Sequence, residues 1–337
     1  GYGTTTVKDA TGSVSSVKAG DFNKGVIASP EQLIQGKTAG VQISQSSGAP
    51  GAAVNIRIRG TASIRSNNNP LFVIDGVPLA GDNTSSESAD LGFGSSGASN
   101  PLNFINPSDI ESISVLKDAS STAIYGSRGA NGVVIITTKS GKGSIGERWE
   151  YNATISSSKA SEEFDLLDGP GFLAGVGQFG GDPIASDYGS NTDWQDYVLR
   201  RSTSSNQSLA YSNTHENGSV RATFGYSKQN GIIRSSGLER TTARINAEHR
   251  LFDDKLKLGI QTTFSQENNG GPALSGNAGY QGDLLGAAYS ANPTWPTDPD
   301  FADTGGQINP ANIFTYVASK TQTGRWLLNG YAEYQVT

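Results

Sequence analysis

The chain has 337 residues, of which 35% are hydrophobic and 17% are charged, and its formal net charge is -6 at pH 7. This length and apolar content suffice for a sizeable core, which excludes a disordered chain, and the lack of a basic run excludes a general nucleic-acid binder. The absence of cysteine excludes disulfides, thiolate metal sites and cysteine nucleophiles.

Residues 1–146 are predicted to form a small α+β unit. Four short apolar runs bounded by turn residues predict strands at 54–60, 70–79, 110–118 and 132–139. Two short helices are expected, one at 29–40 with Ser29 as N-cap and Pro30 at the first helical position, and one that ends at Gly126. The Ser- and Gly-rich stretch 81–100 predicts a long loop.

From residue 147 to residue 337 the hydrophobic period changes to two. In the segment RWEYNATIS, for example, Trp149, Tyr151, Ala153 and Ile155 share one face of an extended strand. The same alternation recurs in five further segments, near 205–212, 220–228, 243–251, 256–264 and 326–336. Six half-buried antiparallel strands follow from this pattern.

Alternation alone fits a soluble sandwich as well as a membrane barrel, but the connections distinguish them. No window holds 18 uninterrupted apolar residues, which excludes a transmembrane helix. Strands two and three, and four and five, are joined by tight turns, whereas more than 40 residues separate strands one and two, and five and six. This asymmetry favours an outer-membrane barrel, although a soluble secreted β-rich adhesin or binding module stays open as an alternative. Aromatic residues near the predicted strand ends fit an interfacial girdle: Trp149, Tyr151, Tyr226, Trp326 and Tyr334.

Several motifs of the first half resemble the plug signatures of SusC-type (SusC/RagA family) TonB-dependent outer-membrane transporters of Bacteroidetes. They are GAPGAAVNIRIRGTASI, NPLFVIDGVPL and INPSDIESISVLKDASSTAIYGSRGANGVVIITTKSGK, and NGIIRSSGLERTTARINAEHRL resembles early barrel strands. The resemblance implies an α+β plug domain (1–146) followed by antiparallel transmembrane β-barrel strands (147–337), the first six of an expected 22. It further implies import of oligosaccharides or peptides across the outer membrane with a SusD-like surface lipoprotein and with TonB and its inner-membrane energy complex. We therefore expect the N-terminal part of a longer protein.

Candidate contact residues follow from the same resemblance. Basic plug residues of related transporters pair with barrel carboxylates, and the matching positions here are Arg59 and Lys117, while Arg128 in the glycine-rich turn is also expected to point at the barrel wall. Ligands of such transporters meet outward-facing plug loops, which correspond to 63–69 and 80–87. The candidate substrate-binding residues in these loops are Arg65, Asn67, Asn68, Asn69, Asp82 and Asn83. Solvated loop side chains remain the alternative for each.

Other chemistry is not expected. Gly141, Gly143 and Gly146 have the spacing of a dinucleotide fingerprint, but a strand follows them where a helix is required, so we predict a flexible joint and no cofactor. The carboxylates at 162–165 are expected to be solvated in an outer loop, and neither His215 nor His249 has ligands at metal-binding spacing. We predict no metal and no enzymatic activity; a structural or secretion-associated role on the same fold is the remaining alternative.

Overall fold

A computed structural model describes residues 14–60, 68–79, 100–143, 145–272, 284–302 and 305–335 of the chain. These residues form two structural units, a small mixed sheet with its own core and a large antiparallel sheet. The first unit is called the plug and the second the wall. Within the described ranges, no helix is long and apolar enough to cross a membrane.

The plug is built on a five-stranded sheet whose central strand is the apolar segment Val133–Thr138. The strands are β1 (Val14–Lys18), β2 (Val41–Gln45), β3 (Val54–Ile58), β4 (Leu71–Ile74), β5 (Val77–Pro78), β6 (Ile110–Leu116) and β7 (Val133–Thr138). The sheet order is β1-β6-β7-β4-β5, with β7 parallel to β4 and antiparallel to β6, and β2 pairs with β3 separately. Ile74, Ile113 and Ile136 are among the fully buried side chains of this core.

The helices of the plug differ from the predicted ones, since the first is shorter and the second continues past Gly126 as a kinked segment. The segment after Ser29 forms a 3-10 helix, Pro30–Ile34, in which the side-chain oxygen of Gln32 accepts a hydrogen bond from the backbone N–H of Ala28 (2.8 Å). The second segment forms α1 (Ala119–Thr122) and a 3-10 helix (Ala123–Gly129) that is kinked at Gly126. Gly126 has a φ of +62°, and glycine is required there because a side chain would strain this conformation.

The wall is a six-stranded antiparallel meander. Its strands are β8 (Gly146–Ser158), β9 (Ser202–His215), β10 (Gly218–Asn230), β11 (Gly237–Leu251), β12 (Leu256–Pro272) and β13 (Ala318–Tyr334). They pair in sequence order, so that Trp149 lies opposite Tyr211 and Phe264 opposite Trp326. Six long strands at the predicted places confirm the period-two pattern.

The outer face of the wall keeps its apolar side chains exposed. Trp149, Phe224 and Trp326 expose 65%, 55% and 77% of their surface, and neighbours on the same face are likewise exposed. Other members include Tyr151, Ile155, Leu209, Tyr226, Ile245, Leu258, Ile260, Leu328 and Tyr334. Among the described residues no second sheet covers this face, and a continuous apolar face of this kind is what the surface of a barrel presents to lipid.

Connections at the two ends of the wall differ in length, as expected. Residues 216–217 join β9 to β10, and 252–255 join β11 to β12. At the opposite end, called the outer end, long connections carry helices that the sequence did not predict: α2 (Gly169–Gln178), α3 (Trp194–Val198), α4 (Leu284–Ser290) and α5 (Pro310–Tyr316). The last three share a small core around Trp194, Leu284 and Ile313.

Candidate functional site: the seal between plug and wall

The plug lies against the inner face of the wall, and this contact is the candidate functional site. Residues that point inward from the strands are polar, because they alternate with the apolar outer face. Several are buried although they carry charge, notably Arg221, Arg240 and Arg244. Buried arginines need partners, and the plug supplies them.

The first contact joins Arg244 of β11 to Asp75 of the plug. Asp75 and Gly76 have φ values of +47° and +86° and form the two-residue turn between β4 and β5, a type I′ geometry for which Asp-Gly is preferred. The Asp75 carboxylate accepts hydrogen bonds from the N–H (2.9 Å) and hydroxyl (2.9 Å) of Thr138 and from Nη2 of Arg244. Nη1 of Arg244 donates to Thr263 Oγ1 at 2.8 Å. The pair is almost entirely shielded from solvent, with side chains 6% and 7% exposed.

The second contact is centred on Asp109, which precedes β6. Its Oδ2 accepts a hydrogen bond from Thr223 Oγ1 (3.0 Å), and its Oδ1 lies 3.7 Å from Nη2 of Arg221. Arg221 also reaches Glu150 of β8 (3.4 Å) and donates to Ser212 Oγ (3.0 Å). Burial raises the pKa of Asp109 above its usual value, against the opposing effects of the Thr223 hydrogen bond and the nearby positive charges. The carboxyl is thus held by the wall at a place where water has little access.

The third contact uses backbone carbonyls of the plug segment 100–104. Arg240 Nη1 donates to Asn103 O at 2.6 Å, and Arg325 Nη1 donates to Pro101 O. The guanidinium of Arg325 also stacks over the ring of Phe104, 5.4 Å from its centroid. This segment is therefore fixed by two strands of the wall, β11 and β13.

The joint between plug and wall forms the fourth contact. Lys139 pairs with Glu150 at 3.4 Å, and its backbone carbonyl accepts a hydrogen bond from Asn246 Nδ2 at 2.9 Å. Lys142 pairs with Glu248 at 3.1 Å. A Cβ on Gly141 would lie 2.5 Å from the carbonyl oxygen of Val220, so only glycine fits between the joint and β10. The predicted flexible joint is instead held on the inner face of the wall by residues of three strands, β8, β10 and β11.

The predicted contact residues lie elsewhere. Arg59 pairs with Asp118 and Lys117 donates to Ala39 O (2.8 Å), both within the plug, while Arg128 is exposed and pairs with no carboxylate among the described residues. Their pairing with barrel carboxylates stays a prediction. In the seal described here the polarity is mostly reversed, since the wall carries arginines and the plug carries aspartates and carbonyls.

Four of the six predicted substrate-binding residues lie outside the described ranges, namely Arg65, Asn67, Asp82 and Asn83. Asn68 and Asn69 are described, and Asn69 Oδ1 accepts a hydrogen bond from Arg57 Nη1 at 2.8 Å. The described residues include no group of three His, Cys, Asp or Glu side chains placed to hold a metal ion.

Sequence reasoning missed the roles of Asp75, Asp109, Arg221 and Arg244. A signal existed for two of them, because Arg221 and Arg244 fall on the polar face of strongly alternating strands. An arginine that points into a barrel needs acceptors from the plug, either carboxylates or backbone carbonyls, and Asp75 sits in a DG turn between two apolar strands. The pairing itself joins residues 169 positions apart and has no local signature.

Comparison with known proteins agrees with this architecture. The model of the TonB-dependent receptor plug domain matches residues 6–133. The TonB-dependent receptor SusC of Bacteroides thetaiotaomicron is 39% identical over 320 residues, which cover 94% of this chain and 30% of SusC. The TonB-dependent receptor P26 of Formosa agariphila is 38% identical over 317 residues, covering 90% of this chain and 29% of P26. The chain thus spans about 30% of the length of these relatives.

Solved structures of related transporters have the same fold. The RagAB peptide importer in its open-open state superposes with a TM-score of 0.67 at 27% identity, over 80% of this chain and 32% of that one. The closed-closed state gives a TM-score of 0.76 at 24% identity, over 97% of this chain. A plug domain and an exposed antiparallel sheet around it define the TonB-dependent receptors, which lie in the outer membrane. Within that class the chain belongs to the SusC-type (SusC/RagA) family, of which it contains the plug and six barrel strands.

Proposed function

We propose that the parent protein actively imports large nutrients, oligosaccharides or peptides, across the outer membrane in a TonB-dependent manner. In this proposal a SusD-like surface lipoprotein captures the ligand at the outer end, and TonB with its inner-membrane energy complex pulls on the plug. The chain serves as a gated passage and carries out no catalysis.

The observation that carries the proposal is the buried charged seal between plug and wall. Removing one partner of a buried ion pair typically costs about 3–5 kcal/mol, because the other charge is left without compensation. A partial withdrawal of the plug would leave Arg244 buried without Asp75, and Arg221 without Asp109, so we infer that these contacts oppose the first step of opening. An external energy source such as TonB is what such a closed passage requires.

The soluble-adhesin alternative does not fit the family or the exposed apolar face of the wall. A structural or secretion-associated role on the same fold is distinguished by experiment. We expect deletion of the full-length gene to abolish growth on at least one glycan or peptide source, with growth restored by the gene and not restored in cells that lack TonB. We also expect the SusD-like lipoprotein to co-purify with the receptor in detergent. A deletion strain with unchanged uptake of every nutrient tested, but with altered envelope or secretion, would refute import.

A further inference from the structure

Two histidines and a glycine lie in one row across the outer face of the wall, at the end with the tight turns, which is called the inner end. Gly218 of β10 is paired with His215 of β9 on one side and with His249 of β11 on the other. Because residues two apart on a strand point to the same side, all three share the outer face with the exposed apolar side chains of their own strands. Both histidines are exposed.

Gly218 leaves room for the two rings to lean toward each other. A Cβ at this position would lie 3.1 Å from Cε1 of His215 and 3.1 Å from Nδ1 of His249. The ring centroids are 5.7 Å apart, and the ring planes are tilted by 55°. The two imidazoles therefore come together over a glycine, although β10 runs between their strands.

The separation of the rings suits a shared metal ion. Neutral imidazole is the commonest metal ligand in proteins. Since Zn–N bonds are about 2.0–2.1 Å long, two imidazoles on one tetrahedral Zn²⁺ have ring centroids about 5–5.5 Å apart. A small rotation of one exposed side chain closes the difference from the observed 5.7 Å.

The ring nitrogens have no other role in the described part of the chain. Neither imidazole has a hydrogen-bond or ion-pair partner among the described residues. A contact between the rings alone would also fit their distance, but it buries little apolar surface because both side chains are exposed. A shared ion would instead link β9 to β11 across β10, and an ion that binds only the folded wall stabilises it.

The donor set indicates which ions fit. The described residues include no group of three His, Cys, Asp or Glu side chains around an ion, so water would complete the coordination of this pair. Imidazole suits Zn²⁺, Ni²⁺ and Cu²⁺. Spacing along the chain did not predict the site, because its two ligands lie on separate strands. The site thus departs from the expectation that these histidines bind no metal.

We propose that His215 and His249 form a two-histidine site for a divalent transition-metal ion at the inner end of the wall, and that the ion links β9 to β11. The site lies on the outer face, on the opposite side of the wall from the seal. It therefore goes beyond the proposed import function and does not depend on it.

The test compares the wild-type full-length receptor in detergent with His215→Ala, His249→Ala and the double variant. Zn²⁺ binding is measured by equilibrium dialysis, and we expect the double variant to lose one equivalent, which separates this site from any other in the parent protein. Two linked ligands exceed either one alone by about 100-fold to about 10,000-fold, so each single variant should bind this equivalent at least about 100-fold more weakly. Asn213→Ala, two residues along the same face of β9, is the matched control and should bind like wild type.

Two further measurements distinguish a shared ion from two separate sites. After subtraction of the double-variant spectrum, electron paramagnetic resonance of bound Cu²⁺ should show nitrogen coupling from two imidazoles in wild type and from one in either single variant. Zn²⁺ should also slow hydrogen exchange at the turn between β9 and β10 in wild type and not in the double variant. The mobility of unheated protein on gels reports assembly, and asparagine replaces alanine at both positions if the alanine double variant does not assemble.

The proposal has clear contradicting results. An assembled double variant that keeps every Zn²⁺ equivalent, or a single variant with wild-type affinity, would overturn the site. Binding of this equivalent only at millimolar Zn²⁺ would overturn it as well. Hydrogen exchange that Zn²⁺ leaves unchanged in wild type would refute the link between β9 and β11.

Discussion

Replacing Arg244 by methionine removes the positive charge from the most shielded ion pair of the seal and keeps most of the side chain's apolar length. Asp75 would then remain buried, with its two hydrogen bonds from Thr138 but without the guanidinium. Since both side chains are less than a tenth exposed, solvent cannot replace the lost partner. We expect the β4–β5 hairpin to lose about 3–5 kcal/mol of its free energy of opening.

Hydrogen exchange of the full-length receptor, measured by mass spectrometry, reports this quantity directly. A loss of that size lowers the protection of the amides in Leu71–Ile74 by about 150-fold to about 5,000-fold when opening is at equilibrium. Lys228→Met is the matched control, because Lys228 pairs with Glu239 at an exposed position and we expect no measurable change there.

A second substitution shows whether the lost protection in Arg244→Met comes from the unpaired charge of Asp75 or from a general packing defect. Asp75→Asn retains an Asx-Gly turn, since asparagine tolerates the positive φ of this position. Combined with Arg244→Met it leaves no uncompensated charge, so we expect the double variant to recover part of the protection. Unchanged protection of β4 and β5 in Arg244→Met would refute the view that this pair holds the plug in place.

Three further predictions test other parts of the fold. Burial raises the pKa of Glu31 in the folded plug. Its neutral form therefore contributes full stability below the ordinary glutamate pKa, and this contribution is lost as pH rises through the raised pKa. Glu31→Gln should remove this pH dependence from the free energy of plug opening. Gly141→Ala should destabilise the joint by about 1–3 kcal/mol through its clash with Val220. Gly143→Ala should not, because its Cβ would come no closer than 4.0 Å to the nearest neighbour, Arg148 Nη1, and limited proteolysis will report the difference. Phe224→Arg on the outer face should cost about 2–4 kcal/mol of assembly free energy in lipid vesicles.

Each of these predictions has a contradicting result. The same pH slope in wild type and Glu31→Gln would assign the effect to another carboxyl, such as Asp109. Equal protease sensitivity of the two glycine variants would show that the joint is not pressed against β10. Normal assembly of Phe224→Arg in lipid, with Phe224→Leu as the reference, would show that this face does not meet hydrocarbon.

The wall strands could be predicted because one physical constraint acts on them at every residue. Inner and outer faces meet different surroundings, so alternation persists over whole strands such as β10 and β12. The helices of the outer connections lack that regularity. α2 contains four glycines in GPGFLAGVGQ, and its signals were limited to Asp168 as N-cap and a proline at its start.

Tertiary contacts determine the rest, and they act between distant parts of the chain. α3 is five residues long and is held by Trp194, whose Nε1 donates to the carbonyl of Asn292, 98 positions away. The seal also depends on distant contacts. The local sequence around Asp75 and Asp109 indicates only turns, and their partners Arg244 and Arg221 come close only in the folded chain. Local patterns therefore predict the strands and the polar inner face, while the partners across the interface require the folded chain.

A reversible crosslink between plug and wall shows whether import requires the plug to separate from the wall. Ser108 and Ser208 face each other across the seal with their Oγ atoms 3.1 Å apart, so we expect cysteines at both positions to form a disulfide. Ser16 and Ser114, 2.9 Å apart within the plug sheet, provide a matched pair that leaves the seal free. We expect the oxidised Ser108→Cys/Ser208→Cys receptor to import nothing until it is reduced, and both single variants and Ser16→Cys/Ser114→Cys to import normally. Wild-type import by a fully crosslinked receptor would contradict the claim that the plug must leave the wall.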